Sequence, residues 1–163
     1  MEETYESIVD YILANQNKFY RIAYTYVYSK EHALDIVQNA ICKALTNYGT
    51  LRNPDAIKTW FYRILVNESL QYKRANQREI STDVSMLKEE GYVESGFERE
   101  DDIFLAIQTL SKEQHTVIIL HYLEQLTLKE IAKVTKTHLS TVKSRLYAAL
   151  EKLRKDMEGY QYE

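Results

Sequence analysis

Thr141, Lys143, Ser144, Arg145 and Tyr147 fall within seven residues that contain no carboxylate. Hydroxyl, ammonium, guanidinium and phenol groups in that density suit hydrogen bonding to base edges and phosphates rather than bond-breaking chemistry. A second set interleaves aromatic and basic side chains: Lys58, Trp60, Phe61, Tyr62 and Arg63, then Tyr72, Lys73 and Arg74. Single-stranded nucleic acid is held by that combination, with rings for bases and cations for the backbone. A third set, Asp35, Gln38, Asn39 and Cys42, recurs at i, i+3, i+4 and i+7, which puts one polar stripe on a helix.

Each set has a plainer reading. The helix carrying Lys143 also fits an ordinary helical hairpin with a solvated basic face. Core packing explains Phe61, Ile64 and Leu65, and for Trp60 the core and functional readings both stand. Lys73, Arg74 and Arg78 are placed to meet phosphate, although cations at a helix end also complement its dipole. The stripe at 35 to 42 reads by itself as a solvated face.

The elements that must position these residues are helical. Thr127 followed by Glu130 is a capping box, so a helix starts near Leu128. After the polar run Thr135 to His138, apolar residues at Val142, Leu146, Ala149, Leu150 and Leu153 give the buried face of a second helix from about Ser140. The pair reads as a helix-turn-helix, with Thr141, Ser144, Arg145 and Ala148 facing outward and Lys143 and Tyr147 flanking them. Upstream, Ile8, Tyr11 and Ile12 begin one amphipathic helix, and Phe19, Ile22, Ala23, Tyr26 and Val27 match the helical template of a second. A further helix, His32 to Leu45, buries Ala33, Ile36, Val37, Ala40, Ile41 and Ala44. Asn53-Pro54 marks a turn, and Asp55 is placed to cap a helix from Ile57 to Arg74.

Composition agrees with an all-α chain of two small domains. There is one proline and there are four glycines in 163 residues. No apolar run approaches the roughly 18 residues that span a bilayer, and the acidic residues near Met1 do not form a signal peptide, so the expectation is a cytoplasmic protein. Cys42 is alone, which excludes a disulfide framework and a thiolate zinc site. The net charge of −3 hides strong segregation. Residues 57 to 80 carry five basic residues against two acidic, and residues 128 to 155 carry eight against two. Between them, residues 81 to 102 carry two against eight. Local patches rather than net charge decide where phosphate binds. The acidic stretch also contains Gly91 and Gly96 and reads as an extended or flexible linker over 79–97, between domains at 1–78 and 98–163.

Three segments together resemble a bacterial extracytoplasmic-function sigma factor: Glu31-His-Ala-Leu-Asp-Ile-Val-Gln-Asn39, Ile57-Lys-Thr-Trp-Phe-Tyr-Arg-Ile-Leu-Val-Asn67, and Thr127 to Arg145 with Thr-Val-Lys-Ser-Arg-Leu at 141 to 146. They match, in order, that family's regions 2.2, 2.3 to 2.4 and 4.2, and within the family the chain is similar to the sigma-V type. The resemblance implies a dissociable RNA polymerase subunit that selects and helps to melt promoters. Asp35, Gln38 and Asn39 would then contact core polymerase. Trp60, Asn67, Tyr72, Lys73, Arg74 and Arg78 would handle the −10 element, with a base extruded from the stack. Lys143, Ser144 and Tyr147 would approach bases at the −35 element, and Thr141 and Arg145 its backbone. A membrane-anchored anti-sigma factor is the implied controlling partner, able to hold the protein at the inner face of the membrane. The sequence departs from the family pattern at Asn39, where an acid is usual, at Lys136, where glycine is frequent and a positive φ would be strained, and at Ala148, where a second arginine is frequent.

Rival readings leave residues unexplained. A stand-alone helix-turn-helix regulator would usually dimerise and would give the stripe at Asp35 no role. An enzyme is disfavoured because His32, His115, His121 and His138 lie at no metal-ligand spacing, and no phosphate loop or nucleophile elbow appears. No cofactor, metal or small-molecule substrate is expected. A protein-only adaptor would lack salt-dependent DNA affinity.

Overall fold

The structure, a computed structural model, describes residues 2–90 and 104–161. All regular structure among them is helical: α1 (Glu2–Val27), α2 (Lys30–Thr46), α3 (Ile57–Ala75), α4 (Gln77–Glu90), a short α5 over 104–108, α6 (Lys112–Ile118), α7 (Leu128–Thr135) and α8 (Leu139–Gln161). The chain divides into two compact units, one built on residues up to Ile80 and one on most of those from Ser81 onward.

In the first unit α1, α2 and α3 pack pairwise. The expected pair of early helices is present within α1 as two helical stretches meeting at a kink at Asn15, whose φ of −126° and ψ of 15° leave the helical region. The Asn15 side chain donates to the Tyr11 carbonyl at 2.8 Å, which gives that oxygen a partner at the bend. Ser29 starts α2 by accepting from the His32 N–H, and Ala33, Ile36, Val37, Ala40 and Ala44 are buried while Ile41 is only partly covered. Asp55 does not cap α3. Asn53 accepts from the Asp55 N–H at 3.1 Å, because Pro54 opens a 3₁₀ turn that carries the chain into Ile57. Phe19 and Phe61 meet with centroids 4.3 Å apart, and Tyr62 lies edge-on to Phe19 at 5.7 Å. Burying each such ring stabilises the bundle by roughly 1.5–3 kcal/mol.

The acidic connector differs from expectation in its first half. It begins as α4, which runs to Glu90, because no glycine or proline interrupts the chain between Gln77 and Glu90. The rest of the expected linker, from residue 91, lies outside the described residues.

In the second unit Ser111 and Gln114 form a capping box at the start of α6, which packs on α8. A π-turn over Ile119–Leu123 follows, and the His121 Nδ1–H donates to the Leu126 carbonyl at 2.9 Å. Thr127 and Glu130 make the second capping box, with reciprocal bonds of 3.1 and 2.9 Å. Ile131 and Val142 are fully buried, which fixes α7 and α8 as a helix-turn-helix. The turn between them passes through Lys136 at φ 52°, ψ 46°, a left-handed conformation. Lys152 and Asp156 of α8 bond the Thr109 carbonyl and hydroxyl, respectively. No described helix is long and apolar enough to cross a membrane.

Candidate nucleic-acid interface

Side chains three, four and seven apart share a helix face, and on α3 that rule collects Trp60, Arg63, Ile64, Asn67 and Gln71 along one wall of a cleft. The opposite wall is Lys43 and Asn47 from the end of α2, with Thr50 from the turn that follows. The cleft holds about 470 Å³, within the range of small-ligand sites and ample for one nucleobase. Trp60 is half-buried, and its Nε1–H donates to Thr50 Oγ1 at 3.0 Å, which fixes the indole against the turn. The Thr50 hydroxyl in turn donates to the Asn47 carbonyl at 2.8 Å.

A charge pair stiffens the deep side. The Glu68 carboxylate is buried, and its Oε2 is shielded from solvent without a regular hydrogen bond. Lys43 Nζ lies 2.5 Å from that oxygen and also donates to Gln71 Oε1 at 3.3 Å. A buried carboxylate needs a cation within reach. Gln71 thereby turns its amide oxygen toward Lys43 on the facing wall.

Of the residues expected at the −10 element, Trp60 and Asn67 are brought together here, and Arg74, seven residues beyond Asn67, continues the same stripe as an exposed cation. Lys73 is partly buried, and burial lowers its ammonium pKa. Arg78 is exposed at the start of α4. Tyr72 is elsewhere: five residues past Asn67 is about 140° around the helix, and its hydroxyl donates to Asp35 Oδ2 at 3.1 Å. Sequence reasoning missed Lys43, Asn47, Thr50, Arg63 and Gln71 as cleft residues. The spacing from Trp60 to Gln71 carried a signal for Arg63 and Gln71. Nothing local marked Lys43, Asn47 and Thr50, which arrive through the packing of α2 on α3.

On α2, Asp35, Gln38, Asn39 and Cys42 are all exposed, and Leu34 stands beside them with 51% of its surface open. On α8, Lys143, Ser144 and Ala148 are exposed, as is Tyr147 at 65%. Thr141 and Arg145 are half-buried, because Val142, Leu146 and Ala149 turn the buried face toward them. The outward face is therefore centred between Ser144 and Tyr147. Its composition of ammonium, hydroxyl and phenol, presented on the second helix of a helix-turn-helix, suits a major groove. Among the described residues no group of three or more His, Cys, Asp or Glu could hold a metal ion.

Comparison with known proteins supplies the context for these surfaces. The family described as Sigma-70 region 2 matches residues 11–79, and Sigma-70, region 4 matches residues 100–153. The chain is 39% identical to RNA polymerase sigma factor SigV of Bacillus subtilis, over 90% of this chain and 89% of that protein. It is 27% identical to ECF RNA polymerase sigma factor SigW of the same organism, over 93% and 89%. The fold is similar to that of the sigma factor RpoE from Bartonella quintana, solved in complex with the anti-sigma factor NepR, with a TM-score of 0.72 and 21% identity over 91% of this chain and 95% of that one.

Proposed function

The chain belongs to the extracytoplasmic-function sigma factors of the sigma-70 family, and from that premise we propose that it binds core RNA polymerase and directs it to promoters with paired −10 and −35 elements. Residues 1–78 act as region 2 and residues 98–163 as region 4, joined by the acidic segment 79–97. Asp35, Gln38 and Asn39 contact the polymerase, with Leu34 as an apolar anchor in the same patch. The cleft takes one base of the non-template strand, stacked against Trp60 and hydrogen-bonded by Asn67 and Gln71. Arg74, Lys73 and Arg78 follow the phosphates beyond it. On α8, Lys143, Ser144 and Tyr147 reach base edges at the −35 element, while the half-buried Thr141 and Arg145 hold the backbone.

The observation that carries this reading is the coexistence, in one chain, of a nucleobase-sized cleft with an indole wall and a solvent-facing recognition helix. We further propose that an anti-sigma factor masks these faces, and that where this partner is membrane-anchored it holds the protein at the inner membrane face. Promoter variants test the −35 assignment. Lys143→Ala should weaken discrimination at one −35 position by roughly 1–3 kcal/mol, measured by competition between promoter variants for the holoenzyme. An unchanged preference at every −35 position would remove Lys143 from the reading set.

A further inference from the structure

Asp35 is exposed on α2, yet its carboxylate is not left to rotate freely. The Tyr72 hydroxyl from α3 donates to Asp35 Oδ2 at 3.1 Å, and the same hydroxyl lies 2.7 Å from His32 Nδ1. A phenol has one proton. Spent on Asp35, it leaves the oxygen as acceptor, so the Nδ1–H of His32 donates to it. The other ring nitrogen, Nε2, lies 3.1 Å from Glu79 Oε2 in the first turn of α4. The His32 and Tyr72 rings are packed edge to face with centroids 5.4 Å apart. His32 and Tyr72 are thus joined in a hydrogen-bonded row that ends on the Asp35 carboxylate proposed to meet polymerase, and the row extends to Glu79 only when the imidazole carries a proton on both nitrogens.

We propose that Tyr72 and His32 are positioning residues for core polymerase binding: they fix the rotamer of the Asp35 carboxylate before the partner arrives, and Tyr72 does not serve the −10 strand. The proposal rests on the assignment of Asp35 to the polymerase contact. Its physical basis is preorganisation. An exposed carboxylate loses side-chain freedom on docking, and a donor that already holds it removes part of that cost. The row also keeps a long aromatic residue in a region rich in basic and aromatic side chains from turning toward DNA, since its hydroxyl is committed 37 positions away in sequence.

A double-mutant cycle on the full-length protein tests this, with affinity for bacterial core RNA polymerase measured by fluorescence titration for wild type, Tyr72→Phe, Asp35→Asn and the double variant. Tyr72→Phe should weaken binding roughly three- to tenfold, and Asp35→Asn should weaken it more. In the Asp35→Asn background Tyr72→Phe should have no further effect. Binding of a single-stranded −10 oligonucleotide by the holoenzyme should be unchanged by Tyr72→Phe once polymerase is saturated. A spectroscopic check comes from the Tyr72 ring carbon resonances, whose ionisation midpoint should fall in Asp35→Asn. A midpoint that does not move means the bond is not formed in solution and overturns the proposal. Additive effects of the two substitutions, or a loss confined to the −10 strand, would overturn it while leaving Asp35 at the polymerase. Asp35→Asn binding polymerase as tightly as wild type would overturn it together with the assignment beneath it.

Discussion

Lys136 shows how far a single residue can be read. A non-glycine residue in the left-handed region costs roughly 1–2 kcal/mol, and Lys136 sits there at φ 52° because the α7 to α8 turn demands it: its N–H and that of Thr137 both return to the Ala132 carbonyl. Lys136→Gly should therefore stabilise the protein by about 0.5–1 kcal/mol, the relief of strain less the extra freedom glycine gives the unfolded chain. Thermal denaturation checks this, and an unchanged or lower midpoint would show that the lysine is not strained. The strain was visible in the sequence only through the family pattern, in which glycine is frequent at this position. By contrast the Thr127 and Glu130 capping box was legible from four residues. Tyr72 lies at the other extreme, since its partners His32 and Asp35 stand 40 and 37 positions away. The spacing on α3 already set Tyr72 about 140° from Asn67, but nothing local to α3 identified the partners its hydroxyl would meet.

At the scale of elements, the buried faces of α1, α2 and α8 followed from apolar spacing, because each must cover a core, while α7 was marked only by its capping box and Ile64, expected in the core of α3, is partly exposed and lines the cleft. The bend at Asn15 and the helix α4 did not follow. The first depends on a side chain returning to its own backbone, and the second on a polar, acidic stretch that stays helical simply because nothing breaks it before Gly91. The cleft was half legible, its α3 wall as a stripe and its α2 wall only through tertiary packing. One consequence of the α2 to α3 contact is measurable in base. Burial, and then the bond to Asp35, push the Tyr72 phenol from 10.0 up to about 12. The folded form therefore keeps a proton that the unfolded chain releases. This contribution to stability is complete below pH 10 and is lost as pH rises toward 12. Chemical denaturation followed by helical circular dichroism across that window should show a steeper decline for wild type than for Tyr72→Phe. Equal slopes would mean that Tyr72 titrates alike in both states.

For the whole molecule the informative quantity is where the charge lies rather than its sum. The basic stretches at 57–80 and 128–155 belong to different units, and the acidic stretch at 81–102 separates them in sequence. That arrangement gives each unit its own attraction for phosphate, and the near-neutral total limits indiscriminate binding. It also fits the proposed roles, a cleft that takes an extruded base in one unit and a major-groove reader in the other, which initiation at paired elements would use together. Run-off transcription from a pool of candidate promoters, with bacterial core polymerase in the presence and absence of the protein, tests this most directly. Start sites should require the protein and should disappear when either the −10 or the −35 element is scrambled. Specific binding to duplex DNA with no start site dependent on the protein would contradict it.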